Sequence, residues 1–125
     1  MNASKKPQKL RNSQQFRRVY DEGQRFHTPF FSAFILKTDT DEPRCGITVT
    51  RKVGSAVVRN RCKRRLREVI RRYYSKTSSE GLSTAGYDLV LNAKLSLLAA
   101  DFNKIEESFS RIMERFNKSL LEEDK

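Results

Sequence analysis

The groups in this chain best able to do chemistry are cations. Arg51, Lys52, Arg59, Arg61, Lys63, Arg64, Arg65, Arg67, Arg71 and Arg72 fall within positions 51–72, and Glu68 is the only acid among them. A guanidinium can grip phosphate oxygens through two parallel hydrogen bonds, where an ammonium offers a point charge, so an Arg-rich segment suits a polyanion in geometry as well as in sign. Asn60, between Arg59 and Arg61, adds an amide with donors and an acceptor. Bond-breaking machinery is harder to assemble. His27 is the only histidine, and a lone His is more often a surface or core residue than a catalyst. The acids are scattered over turns, helix surfaces and the C-terminal tail, without the grouped carboxylates that a two-metal nuclease needs. Asp39, Asp41 and Glu42 share a turn, a place where Asp is favoured and water is the ordinary partner. No glycine-rich phosphate loop is present. Cys45 and Cys62 are far apart with no neighbouring His, which argues against zinc and for free thiols that pack. The residues therefore point to binding, with no catalytic residue and no metal ligand expected.

A helix has to present those cations. At about 100° per residue, Val58, Cys62, Leu66, Val69, Ile70 and Tyr73 share an arc of roughly 120°, the width of a core-facing stripe. That stripe docks on a sheet and turns the cations outward or to the flanks. Gly54 permits a sharp entry, and either Ser55 or Asn60 can cap; the later start would leave Val57 and Val58 extended. Arg44 to Thr50 reads as the strand feeding this helix, with Cys45, Ile47 and Val49 on one face and Gly46, Thr48 and Thr50 on the other. Those small residues leave room for a ligand backbone, and the strand delivers Arg51 and Lys52 to the helix entry. Phe26 to Lys37 is a strand covered on both faces, with Pro29 confining its first residues to an edge or an irregular piece. Tyr87 to Ala93 is a further strand, after a flexible connection over 75–86. A short helix over 10–23, capped at Asn12 or Ser13 and stopped at Gly23, puts Phe16, Val19 and Tyr20 on one face. Spacing alone reads that aromatic pair as a seal between helix and sheet. A last helix follows Asp101, with Phe102, Ile105, Phe109, Ile112, Met113 and Phe116 at three- and four-residue spacing. Residues 1–9 read as a flexible basic leader and 118–125 as a frayed acidic tail.

With 125 residues and 37% hydrophobic content, the chain suits one domain with a modest core. A formal net charge of +11 and a pI near 10.1 call for a polyanionic partner, nucleic acid first. A membrane surface would want bulky apolar residues to insert, and here the core consumes the apolar stripe. No apolar run reaches about 18 residues, and the N-terminus runs into charge, not into a signal core. The expected location is the cytoplasm.

The stretch Lys52-Val53-Gly54-Ser55-Ala56-Val57-Val58-Arg59-Asn60-Arg61-Cys62-Lys63-Arg64-Arg65-Leu66-Arg67-Glu68 resembles the Arg-Asn-Arg motif of the bacterial ribonuclease P protein subunit in order and spacing. It departs at Ser55, where that family usually has Asn, and at Cys62, where an aliphatic residue is usual. Ser caps about as well as Asn, and Cys packs as a small hydrophobe. Similarity runs from about Leu10 to Phe116.

The resemblance implies a single-domain α+β fold, an α/β sandwich of order α-β-β-β-α-β-α, ribosomal protein S5 domain 2-like with a left-handed βαβ crossover. It also implies that a catalytic RNA, using Mg²⁺ held mainly by that RNA, removes the 5′ leader of precursor tRNA while this chain assists. Lys52, Arg59, Asn60, Arg61, Lys63, Arg64, Arg65 and Arg67 would dock on the RNA subunit. Phe16, Tyr20, Phe34, Thr48 and Arg51 would hold the leader, since an aromatic face stacks on any base without demanding a sequence. The expected partners are ribonuclease P RNA and precursor tRNA, with no membrane and no obligate protein partner. The alternatives are a general RNA-binding or ribosome-associated protein of similar fold, and an unaided metal-dependent nuclease, which the scattered acids disfavour.

Overall fold

The structure is a computed structural model that describes residues 7–79 and 86–123. Its strands are β1 (Gln8–Lys9), β2 (Gln24–His27), β3 (Phe31–Lys37), β4 (Arg44–Thr48) and β5 (Tyr87–Ala93), and its helices are α1 (Ser13–Glu22), α2 (Ala56–Ser79) and α3 (Phe102–Glu123). The strands form one mixed sheet in the order β1-β4-β5-β3-β2. β4 and β5 are parallel neighbours joined through α2, while β3 pairs antiparallel with both β5 and β2. The α+β class and the order α-β-β-β-α-β-α hold, with β1 added in front.

Alternation along the strands builds two cores. Phe31, Ala33 and Ile35 of β3 and Leu89 and Leu91 of β5 face α2 and α3, where they meet Cys62, Leu66, Val69, Ile105, Phe109, Met113 and Phe116. Phe34 and Val90 point the other way, into a smaller cluster with Leu10 and Val19 under α1. Burying each large side chain of the main core contributes about 2 kcal/mol relative to leaving it exposed. Cys62 lies inside that core and Cys45 packs against it, both as free thiols. Burial pushes the Cys45 thiol up to about 12, as suits a packing residue.

Caps settle the helix starts. The Asn12 side chain accepts from the Gln15 N–H at 2.9 Å, and Gln15 Oε1 accepts from the Asn12 N–H at 3.3 Å, a reciprocal box that starts α1 at Ser13. Ser55, not Asn60, caps α2: its Oγ accepts from the Val58 N–H at 3.4 Å. Gly54 just before it has φ 155°, which side chains rarely adopt.

Four segments differ from the sequence reading. Gln8 and Lys9, expected in a flexible leader, pair in parallel with Arg44 and Cys45, and the flanking Leu10 N–H donates to the Cys45 carbonyl at 3.0 Å. A two-residue strand has no periodicity to read. The 26–37 strand splits at a tight loop, where the Thr28 hydroxyl accepts from the Phe30 and Phe31 N–H groups at 3.1 and 3.0 Å. α2 runs on through Ser79, although 75–79 looked like the start of a flexible connection; buried Tyr74 and Thr77 anchor the extra turn. Residues 80–85 of that connection, and 1–6 of the leader, lie outside the described residues. α3 continues to Glu123 in place of a frayed tail, because Leu120 carries the stripe of Ile112, Met113 and Phe116 one turn further into the core.

Candidate nucleic-acid interface

The first half of α2 forms the basic wall of the site. Lys52, in the short 3-10 helix Arg51–Val53, is exposed, as are Asn60, Arg61, Arg64 and Arg67, while Lys63 is half-buried. Arg59 is turned inward, its Nη1 donating to the Gly54 carbonyl at 3.0 Å, so it stiffens the entry turn. Arg65, expected among the docking cations, does something else. Its Nη1 donates to the carbonyls of Leu97 and Leu98 at 2.6 and 2.9 Å, and its Nη2 to that of Ala100 at 2.9 Å. Those carbonyls belong to the irregular segment after β5 and need donors; Arg65 is their clamp. Further along, Arg71 and Arg72 close on the Glu68 carboxylate at 2.6 and 3.0 Å, and Arg72 also reaches Glu106 at 3.5 Å. The two guanidiniums hold the Glu68 carboxyl down to about 2. The charge left for a partner therefore sits on Lys52, Arg61, Lys63, Arg64 and Arg67.

The second wall is the sheet face that carries α1. Phe34, Val90 and Gly46 are register partners across β3, β5 and β4, and α1 lies over them. A Cβ at Gly46 would sit 2.4 Å from Phe16 Cζ, so the room expected for a ligand backbone is filled by the Phe16 ring. Phe34 is 8% exposed. Tyr20 meets it edge-on at 4.8 Å, and the Arg25 guanidinium lies 5.4 Å from its ring centroid, so Phe34 supports the cleft from below and is no open stacking surface. The next register row, beyond α1, is polar: Thr48, Asn92, Ser32 and His27. The Tyr20 hydroxyl donates to Asn92 Oδ1 at 3.0 Å and lies 3.2 Å from Thr48 Oγ1, and the Thr48 hydroxyl also donates to Asn92 Oδ1. His27 Nδ1 and Ser32 Oγ are 3.1 Å apart.

Phe16 stands where the two walls meet. On one side, Ser13, Phe16, Arg17, Tyr20, Asp21 and Thr48 line an open cleft along α1. On the other, Phe16, Leu10, Ile47 and Ile70 floor a groove whose wall carries Lys63, Arg67 and Arg71. The structure thus brings Phe16, Tyr20 and Thr48 together, and adds Lys63 and Arg67 to the Phe16 side. Arg51 stands exposed in the turn after β4, apart from both linings. Asn92 and Arg25 were missed by sequence reasoning, because only strand register shows which residues stand beside Thr48 and Phe34. Among the described residues, no three His, Cys, Asp or Glu side chains are placed to hold a metal ion, and no helix is long and apolar enough to cross a membrane.

Known proteins share both the sequence and the fold. The family model described as Ribonuclease P matches residues 4–117. The ribonuclease P protein component of Clostridioides difficile strain 630 is 34% identical over 111 residues, covering 89% of this chain and 93% of its own length. That of a Nitratiruptor species is 37% identical over 111 residues, with 89% and 94% covered. The solved ribonuclease P protein from Thermotoga maritima shares the fold at a TM-score of 0.70 and 28% identity, over 86% of this chain and 96% of that one. Motif, length and fold agree, and this chain belongs to the ribonuclease P protein component family, the protein part of a tRNA-processing ribonucleoprotein.

Proposed function

We propose that this chain docks on ribonuclease P RNA through Lys52, Asn60, Arg61, Lys63, Arg64 and Arg67, and holds the single-stranded 5′ leader of precursor tRNA in the cleft of Phe16, Tyr20 and Thr48. The catalytic RNA then hydrolyses the leader with its own Mg²⁺. One observation carries the reading: cations with no protein partner among the described residues border an aromatic and hydroxyl-lined cleft, with Phe16 shared between them. Stacking on Phe16 and Tyr20 contributes about 1–3 kcal/mol per base whatever the sequence. The Mg²⁺ is assigned to the RNA, whose phosphates are the oxygen ligands such an ion favours. The protein assists by neutralising phosphates, which lowers the repulsion that a folded RNA must otherwise screen with Mg²⁺.

The test is reconstitution at low Mg²⁺. The protein, a cognate ribonuclease P RNA and precursor tRNA are mixed, with RNA-free and protein-free controls. Cleavage at the mature 5′ end that needs both components supports the proposal. Cleavage by the protein alone makes it a nuclease, and binding of precursor and unrelated RNA alike, with no help to the ribozyme, makes it a general RNA-binding protein.

A further inference from the structure

We propose that Asn92 is a leader-binding residue that donates its side-chain amide hydrogens to a phosphate of the leader backbone. This rests on the reading of the cleft given above. Asn92 lies on β5 in register with Thr48 on one side and Ser32 on the other, on the sheet face that carries α1. Its Oδ1 accepts from the hydroxyls of both Tyr20 and Thr48. The structure turns Oδ1, and not the NH₂, toward both hydroxyls, each of which can donate to an amide oxygen. The carbonyl's two lone pairs are then used, and the NH₂ is left with two donors. Ser32, the neighbour on the other side, is engaged with His27. No described residue accepts from the Asn92 NH₂, and since no buried polar side-chain atom among the described residues lacks a partner, that nitrogen reaches solvent, beside Tyr20 and Thr48 of the cleft lining.

A free Asn reads a base edge with oxygen and nitrogen together, as in its bidentate pairing with adenine. Asn92 has only the donor half available, and a phosphate oxygen asks for nothing else. In the cleft that the Asn92 partners Tyr20 and Thr48 line, Arg17 adds positive charge, while Asp21 is the one opposing group. The division of labour is then physical: Phe16 and Tyr20 take base faces, and Asn92 takes the backbone between them without selecting sequence. Tyr20 and Thr48 act here as positioning residues, since their hydroxyls aim the amide.

Asn92→Asp separates the two ends of the side chain. The carboxylate still accepts from Tyr20 and Thr48, but both donors are gone and a negative charge faces the cleft. In the holoenzyme, affinity for precursor tRNA with a leader should fall about tenfold or more, affinity for mature tRNA should not change, and the protein's thermal midpoint should stay near that of the parent. A leader built with 2′-deoxyriboses should lose as much on the variant as an all-ribose leader does. Should Asn92→Asp not fold, Asn92→Ser, small and uncharged, is expected to give the same split between leader-bearing and mature tRNA to a smaller extent. Unchanged leader affinity in a folded variant overturns the role of Asn92. Loss confined to all-ribose leaders overturns the phosphate assignment in favour of a 2′-hydroxyl. If the parent holoenzyme shows no preference for leader-bearing RNA, the failure belongs to the cleft reading instead.

Discussion

Arg61 and Arg64 reach solvent with no protein acceptor among the described residues, whereas Arg65, next along the chain, gives its N–H groups to the carbonyls of Leu97, Leu98 and Ala100. The same side chain therefore has two uses one position apart. Arg61→Ala and Arg64→Ala should each lower the salt slope of RNA binding by about 0.7 to 0.9 for every phosphate the variant no longer neutralises, and leave stability within about 0.5 kcal/mol. Arg65→Ala should do the reverse, costing about 1–3 kcal/mol of stability through carbonyls left without donors while the slope holds. Salt titrations of affinity and urea unfolding of the three variants check this, and an Arg65→Ala slope falling like that of Arg64→Ala would return Arg65 to the interface. Charge and spacing made the motif legible in the sequence. The fate of Arg65 was not, because its acceptors come from a segment distant in the chain. Phe34 shows the same limit: an alternating strand says which face a ring is on, not that Tyr20 and Arg25 cover it.

At the scale of elements, Glu68 is the only acid in α2 and draws in Arg71 and Arg72 of that Arg-rich helix. Its carboxyl stands at about 2 in the folded chain against an ordinary value of 4.5. A carboxyl depressed on folding stabilises fully above its unfolded value, and the contribution disappears as pH falls from about 4.5 toward 2. Thermal midpoints of the parent and Glu68→Gln should therefore differ most above pH 5 and converge at low pH; a gap independent of pH would remove the ion pairing as its cause. The docking of α1 depends on a smaller feature. Gly46→Ala places a methyl where Phe16 Cζ stands 2.4 Å away, so the ring must leave. The expected cost is about 1–3 kcal/mol of stability, together with weaker binding of leader-bearing tRNA, measured by thermal unfolding and equilibrium binding. Period-two alternation placed Gly46 and Thr48 on one face correctly. It could not tell whether the space over Gly46 belonged to a ligand or to an aromatic ring from another element.

For the whole molecule, the net charge of +11 is distributed unevenly. The sequence showed a strand covered on both faces and apolar stripes on α2 and α3 that dock on a sheet, whereas the division into two cores, the strand order, and with it the row of Thr48 and Asn92, needed the pairing itself. In that plan the sheet separates α1 from α2 and α3, and the first half of α2 carries a run of cations, Arg61, Lys63, Arg64 and Arg67, with no acid between them. The outer face of α3 mixes signs and pairs some of them, with Arg111 3.9 Å from Glu107 and Arg72 3.5 Å from Glu106. A polyanion gains by covering the first region and gains little from the second, where carboxylates stand among the cations. Lysine acetylation of the free protein and of its complex with ribonuclease P RNA reads this directly, since an amine under phosphate is shielded and an amine in water is not. Lys52 and Lys63 should be protected in the complex, while Lys104 and Lys118 on exposed positions of α3 react alike in both states. Raising salt until the complex dissociates should restore Lys52 and Lys63 together, because the same counterion release governs both contacts. Protection of Lys104 or Lys118 equal to that of Lys52 would mean that RNA wraps α3 as well, and the division of the molecule into a binding face and a solvent face would be wrong.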